Sequence, residues 1–319
     1  MIRDMRQHWR FSFWFLTLIS CLLWPATTLL ASQEGTEEKT ARVGFAQDTL
    51  ANDWRLQQVK DVEAELAYYP EIEFVYTNAN ESVAQQALHI RQLAGDVDVL
   101  VVSPRVKSVL SQVIADVHDA GVPVILVDRG IDGPHYTSFI RPNNTAIGRA
   151  AAQHLVNALD ASGTVLMLEG VAGASVTQQR AQGFTDVMKR HPNIHIVART
   201  GNFLRADALR AVQHVIEDGI TFDAIFAQSD SMATGARMAM VEAGLDLSHI
   251  PIIGIDYIEE AKAAILDGTQ SVSFTYPTGG KEAAELAVRL LRGESVPKNV
   301  ILPSVKVTID NVKDVEALF

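Results

Sequence analysis

The sequence has 319 residues and a formal net charge of -11, with 48% hydrophobic and 20% charged residues. A chain of this length and hydrophobicity can bury the cores of two globular domains, so the composition excludes a largely disordered protein. The excess of acidic side chains excludes the nucleic-acid-binding class, because binding to a phosphate backbone requires clustered Lys and Arg.

The first residues have the pattern of an export signal. Three arginines among the first ten residues precede an apolar run over residues 11–31, and a basic region followed by an apolar one is typical of a signal peptide. We predict a signal peptide over residues 1–32, a charged linker over residues 33–40 and a periplasmic mature protein.

Two alternatives remain open at this end of the chain. Residues 18–21 resemble a bacterial lipobox, which would place a lipid anchor on Cys21, the only cysteine of the chain. The apolar run could also stay uncleaved as an anchor, since about 20 apolar residues span a bilayer, although Pro25 interrupts it.

From residue 41 onwards the sequence repeats a short apolar strand followed by an amphipathic helix. The predicted strands cover residues 42–46, 72–77, 97–102, 122–127, 163–168, 194–200, 224–227 and 251–255. Their β-branched runs are typical of strands buried on both faces of a parallel sheet. Stretches such as residues 82–93, 146–155 and 230–242 have helical spacing of apolar residues. The alternation predicts an α/β fold.

The predicted strands form two sets of four, which indicates two doubly wound parallel-sheet lobes joined by crossing hinge segments. We expect the N-terminal lobe to comprise residues 41–141 plus 277–303. The C-terminal lobe would comprise residues 142–276 plus 304–319. Extended stretches at residues 136–141 and 271–275 would carry the chain between the lobes.

Polar and aromatic residues follow the strands at their carboxyl ends, where open parallel sheets bind ligands. They include Trp54 and Arg55, the pair Asp128-Arg129, and Asp256. Carboxylates and guanidinium groups recognise hydroxyls, and aromatic rings stack on the apolar faces of a sugar. Each residue alone also has a structural alternative, such as core packing, a helix cap or a surface ion pair. Their shared position indicates a cleft for one small sugar.

Four segments carry a family resemblance: residues 127–129 (VDR), 173–184, 226–233 (FAQSDSMA) and 254–256 (GID). Together they resemble the periplasmic sugar-binding proteins of the ribose-binding type, within the type I periplasmic binding protein family. They are most similar to the galactofuranose-binding branch of that family. The resemblance implies a ligand site made of Trp54, Arg55, Asp128, Arg129, Ser175, Arg180, Phe203, Ser229, Asp256 and Thr275.

Two of these residues depart from the family pattern. Ser229 stands where the family has an Asn, and Thr275 stands where ribose binders carry a Gln. Both changes speak against ribose itself and leave the ligand open between a galactofuranose-like sugar and another monosaccharide.

The resemblance implies a monomeric solute-binding protein that captures the sugar by hinge closure and delivers it to the membrane permease of an ABC importer. The alternative is a periplasmic sensor that presents a sugar or an autoinducer-like diol to a membrane histidine kinase or chemoreceptor. The sequence contains no H-E-x-x-H, G-x-S-x-G or P-loop motif. We therefore expect no catalytic activity, no cofactor and no metal site, with His89, His118 and His154 as surface or boundary residues.

Overall fold

The computed structural model describes residues 41–319. The predicted signal peptide, the linker and the lipidation alternative at Cys21 lie outside the described residues. Within residues 41–319, none of the helices is both long and apolar enough to cross a membrane.

Strands and helices alternate along most of the described chain. The strands are β1 (Ala41–Gln47), β2 (Ile72–Asn78), β3 (Val99–Val102), β4 (Val124–Val127), β5 (Ser138–Pro142), β6 (Gly163–Glu169), β7 (Ile194–Thr200), β8 (Ala224–Ala227), β9 (Ile252–Ile253), β10 (Ser273–Phe274), β11 (Asn299–Leu302) and β12 (Lys306–Val307). The helices are α1 (Asp53–Leu66), α2 (Val83–Ala94), α3 (Lys107–Asp119), α4 (Asn144–Ala158), α5 (Ser175–Met188), α6 (Arg205–Glu217), α7 (Asp230–Glu242), α8 (Glu259–Leu266) and α9 (Gly280–Leu291).

The first lobe is built on a six-stranded parallel sheet in the order β11-β5-β4-β3-β1-β2. Successive residues of β3 point to opposite faces: Val99 and Val101 join the core under α1 and α9, whereas Leu100 joins the core under α2 and α3. Both faces of the sheet are therefore buried, as its apolar strands predict.

The second lobe is built on a four-stranded parallel sheet in the order β7-β6-β8-β9. Helices α4 and α5 cover one face and α6 and α7 cover the other. The prediction of two α/β lobes with parallel sheets is confirmed.

Three segments connect the two lobes: β5 leads into α4, β10 leads into α9, and β11 leads into β12. Strands β10 and β12 pair with each other in an antiparallel ribbon. The segment at residues 136–141, expected to carry the chain out of the first lobe, is instead largely strand β5. It pairs with β4 and β11 inside the first sheet. The lobe boundaries given above stay a prediction.

Candidate functional site

A cleft lies between the carboxyl ends of the two parallel sheets. Residues from both lobes and from the β10–α9 connection border it: Asn52, Trp54, Arg55, Asp128, Val176, Arg180, Phe203, Ser229, Ser231, Asp256 and Tyr276.

The structure brings together seven of the ten residues that the resemblance assigns to the ligand, namely Trp54, Arg55, Asp128, Arg180, Phe203, Ser229 and Asp256. Arg129, Ser175 and Thr275 do not border the cleft. Direct contact of each residue with a ligand stays a prediction.

Two aromatic rings supply the apolar walls. Trp54 at the start of α1 is held by a hydrogen bond of 3.1 Å from its indole Nε1 to the carbonyl of Tyr276. Phe203 follows β7 and packs onto Gly170, where a Cβ atom would come within 1.9 Å of the ring. Both rings are 7% exposed, so each presents only an edge or part of a face to the cleft.

A buried ion network forms the first-lobe side of the site. Arg55 donates to Asp128 Oδ2 at 2.7 Å and lies 3.5 Å from Asp48 Oδ1. Arg129 donates to Asp48 Oδ2 at 2.7 Å. Burial alone would raise the pKa of Asp48, but the guanidinium groups of Arg129 and Arg55 outweigh it and hold that pKa below its usual value. Asp48 is therefore charged and fixes both arginines.

The second-lobe side has fewer internal partners. Arg180 of α5 donates from Nε to Asn144 at 2.8 Å and from Nη1 to the carbonyl of Gln228. Within residues 41–319, its Nη2 atom makes no hydrogen bond. Helix α5 can approach α4 this closely because Gly148 has no side chain, and a Cβ there would lie 2.2 Å from the Arg180 carbonyl. The crossing of the two helices thus positions the guanidinium.

The carboxylate of Asp256 is the least compensated charge of the cleft. It is buried, and burial raises its pKa well above the ordinary value, with Arg180 as the main opposing charge. Among the hydrogen bonds of residues 41–319, none reaches this carboxylate. A buried carboxylate in this position is an acceptor for hydroxyl donors from a ligand.

Tyr276 is the main site residue that sequence reasoning missed. Its hydroxyl donates to Asp128 Oδ1 at 2.7 Å and accepts from Asn144 Nδ2 at 3.0 Å, so it bonds to both lobes. Burial raises its pKa far above the ordinary tyrosine value, with the charge of Asp128 acting in the same direction. The hydroxyl therefore stays protonated. Asn52, Val176 and Ser231 also border the cleft without having been predicted.

The three predicted residues outside the cleft have structural contacts. Arg129 is 1% exposed and lies on Asp48, behind the ring of Phe203. Ser175 Oγ accepts from the backbone N–H of Gly130 at 2.9 Å and so connects the two lobes. Thr275 Oγ1 accepts from the N–H of Val305 at 2.8 Å, which ties two of the connecting segments together.

Several site residues lie on unusual backbone. Asp128, Phe203 and Asp256 have φ values of 65°, 62° and 119°. Such positive φ angles cost side-chain-bearing residues on the order of 1–3 kcal/mol each and concentrate at functional sites. The positive-φ backbone holds these three side chains at the cleft.

A family model for the periplasmic binding protein domain matches residues 43–295. The chain belongs to the periplasmic binding protein family. The match spans both lobes and the connections at β5–α4 and β10–α9.

Two relatives show what members with similar sequences bind. The xylitol-binding protein of Mycolicibacterium smegmatis is 30% identical over 247 residues, which cover 76% of this chain and 70% of that protein. The ribose import binding protein of Bacillus subtilis is 28% identical over 289 residues, covering 90% and 93% of the two chains. These two relatives are binding proteins and not enzymes. This chain, as a member of the same family, is likewise a binding protein and not an enzyme.

Two solved structures have the same fold. A galactofuranose-binding protein aligns with a TM-score of 0.80 and 25% identity, covering 86% of this chain and 96% of that one. The fructose-binding periplasmic domain of a hybrid two-component system aligns with a TM-score of 0.81 and 25% identity, covering 86% and 92%. The resemblance to ribose- and galactofuranose-binding proteins is confirmed, and the family is one of sugar-binding proteins that normally lie in the periplasm.

Proposed function

We propose that this protein captures one small sugar or polyol in the inter-lobe cleft by hinge closure and delivers it to the permease of an ABC importer. In this proposal residues 1–32 direct export to the periplasm. The three connecting segments act as the hinge between the lobes at the boundaries given above.

One observation carries the proposal: uncompensated polar atoms from the second lobe face a cleft that also has aromatic walls. The Asp256 carboxylate and Arg180 Nη2 offer an acceptor and a donor. A vicinal diol needs both, because each hydroxyl donates one hydrogen bond and accepts others. Trp54 and Phe203 supply apolar surface for the C–H groups of a ring.

The first-lobe groups have a different part in this proposal. Both oxygens of Asp128 already accept hydrogen bonds, from Arg55 and Tyr276. Asp128 keeps free lone pairs for a ligand hydroxyl, but its orientation is fixed before binding. Pre-organised polar groups lower the entropic cost of binding. We infer that the first lobe holds the sugar first and that Arg180 and Asp256 engage it on closure.

The ligand class follows from the chemical groups of the cleft and from the ligands of the relatives. An acceptor and a donor, Asp256 and Arg180, lie between aromatic walls, and this combination suits a small sugar or polyol. The relatives bind xylitol, ribose, galactofuranose and fructose, all within this class. A sensory role remains the second candidate, because one structural relative is the sugar-binding domain of a two-component system.

A thermal-shift panel tests the binding step. We would screen D-ribose, D-fructose, D-galactose, xylitol and myo-inositol, with succinate as a control that carries charge but no hydroxyl array. A true ligand at a hundredfold excess over its Kd stabilises the protein by about 2.7 kcal/mol, a shift of several degrees. No shift with any sugar or polyol would contradict the proposal.

Uptake separates the importer from the sensor. Deletion of the gene should abolish uptake of the radiolabelled ligand if the protein serves a permease. Uptake that is unchanged, together with loss of a transcriptional or chemotactic response to the same ligand, would favour the sensor.

A further inference from the structure

A cluster of two histidines and an aspartate lies on the first lobe, outside the cleft. His118 and Asp119 are at the end of α3, and His135 is in the loop between β4 and β5. One nitrogen of each imidazole and one carboxylate oxygen all lie within 4.8 Å of one another. The sequence motifs predict no metal site and a surface position for His118, without a connection to His135.

Two nitrogens converge on the same oxygen in this cluster. Nδ1 of His118 lies 3.1 Å from Asp119 Oδ1, and Nδ1 of His135 lies 2.9 Å from that same atom. Ligand atoms bound to a tetrahedral Zn²⁺ at about 2.0–2.1 Å are separated by about 3.3 Å. Both separations are hydrogen-bond distances. They hold the donor atoms of all three side chains within 4.8 Å of one another, so the ligands of a metal ion are already gathered.

The loop that carries His135 is held in place on both sides of the histidine. Lys298 Nζ donates to the carbonyl of Pro134 at 2.7 Å and also to the carbonyl of Tyr136. The ammonium lies 4.0 Å from the centre of the Tyr136 ring, and that ring packs edge-on against Phe139 of β5. His135 is thus held opposite the last turn of α3 by contacts that do not involve the cluster itself, which lowers the cost of assembling a site.

We propose that His118, Asp119 and His135 form a surface site for a divalent transition metal of the zinc type. Two neutral imidazoles and a carboxylate are ligands that Zn²⁺ accepts, and three protein ligands leave a fourth position for water. The three side chains are partly exposed, so a hydrated ion can reach them.

The site is remote from the sugar cleft. In a parallel α/β sheet the helices run antiparallel to the strands, so the end of α3 lies at the amino-terminal edge of the sheet. The cleft lies at the carboxyl edge. We therefore expect metal binding to be independent of sugar binding.

Isothermal titration of the tag-free protein with ZnCl₂ tests the site. We expect one Zn²⁺ per chain. The loss of one second-shell partner already costs about 10–100-fold in metal affinity, so His118→Ala and His135→Ala should each weaken binding by at least as much. His249→Ala is the matched control, because His249 is an exposed histidine 3.6 Å from Asp246 with no second histidine in its cluster among the described residues.

Three results would overturn the proposal: no uptake of Zn²⁺, wild-type affinity in both His118→Ala and His135→Ala, or an equal loss in His249→Ala. A second measurement keeps the test valid if a variant is unstable. Histidine side-chain NMR of the wild type with Zn²⁺ should shift the imidazole signals of His118 and His135 and leave that of His249 unchanged. Shifts that are spread over all histidines would show adventitious binding and also overturn it.

Discussion

Asp256→Asn is expected to weaken sugar binding without destabilising the protein. Asn has nearly the same shape as Asp, so it can replace the aspartate at this position with little change in the backbone, whose φ is 119°. The exchange removes the charge and turns one acceptor atom into a donor. A hydrogen bond to a charged group contributes about 1.5–3 kcal/mol, so the affinity for the sugar should fall between about tenfold and about 150-fold.

The same substitution has the opposite effect on the unliganded fold. Burial holds the pKa of Asp256 well above its ordinary value, and Arg180 compensates only in part. The charged form is therefore unfavourable in the folded protein at neutral pH. Replacing it with a neutral amide should leave the free energy of unfolding unchanged or raise it.

Calorimetric titration with the best sugar of the panel and urea unfolding at pH 7 measure the two effects. Asp53→Asn, at an exposed position one residue before Trp54, is the control for a change of charge near the cleft. In the wild type, sugar affinity should also fall when the pH is low enough for Asp256 to bind a proton. Because the pKa of Asp256 is raised, this fall should occur at a higher pH than for an ordinary aspartate. Equal sugar affinity in both variants and the wild type would refute the assignment of Asp256, and a clear loss of unfolding free energy would make its role structural.

Three further predictions concern groups around the cleft. Tyr276→Phe removes the hydroxyl that is hydrogen-bonded to Asp128 at 2.7 Å. The free energy of unfolding should fall by about 1–3 kcal/mol, and sugar affinity should fall as well. Unchanged values in urea unfolding and in calorimetric titration would contradict this. Ser175→Ala removes the inter-lobe bond from Gly130 at 2.9 Å without changing the cleft wall, so sugar affinity should fall by about two- to tenfold, while an unchanged Kd would show that the bond does not affect closure. Burial raises the pKa of Asp230 to about 6, above its unfolded value, so the folded protein holds that proton more tightly. The stabilisation from this group is present below about pH 4 and is lost as the pH rises through about 6, by at most about 3 kcal/mol. The free energy of unfolding, measured at about pH 4.5 and about pH 7.5 in the wild type and in Asp230→Asn, tests this. An equal pH dependence in the two proteins would contradict it.

The sequence predicts the strands well because their signal is local. Apolar β-branched runs end where polar residues begin, and the predicted strands at residues 194–200 and 224–227 coincide with β7 and β8. The segment of β5 was harder to place. Its buried residues Phe139 and Ile140 match an extended crossing as well as a strand. Only its pairing with β4 and with β11, which lies more than 150 residues later in the chain, distinguishes the two.

The site prediction differs from the structure most clearly between Thr275 and Tyr276. Neighbouring residues in an extended segment point to opposite sides. An assignment that is wrong by one residue therefore selects a side chain that faces the β10–β12 ribbon and not the cleft. Asp48 shows a different limit. It follows β1 as an ordinary polar residue, and its importance comes from Arg129, 81 positions away. Pairings of this kind depend on the tertiary arrangement, which local patterns do not contain.

The proposed coupling between sugar binding and closure follows from a contrast between two sets of contacts. Direct hydrogen bonds between the lobes favour the closed arrangement. They include Gly130 to Ser175 at 2.9 Å, Lys107 to Gly173 at 3.0 Å and Asn52 to the Phe203 carbonyl at 3.3 Å. Each contributes only about 0.5–1.5 kcal/mol. Against them stands Asp256, whose carboxylate receives no hydrogen bond from residues 41–319. Burial raises its pKa well above the ordinary value, so its charged form is unfavourable in the unliganded cleft. A molecule that donates hydroxyls to Asp256 removes the unfavourable contribution and leaves the favourable bonds, so it shifts the population towards the closed form, and a solute without such hydroxyls does not.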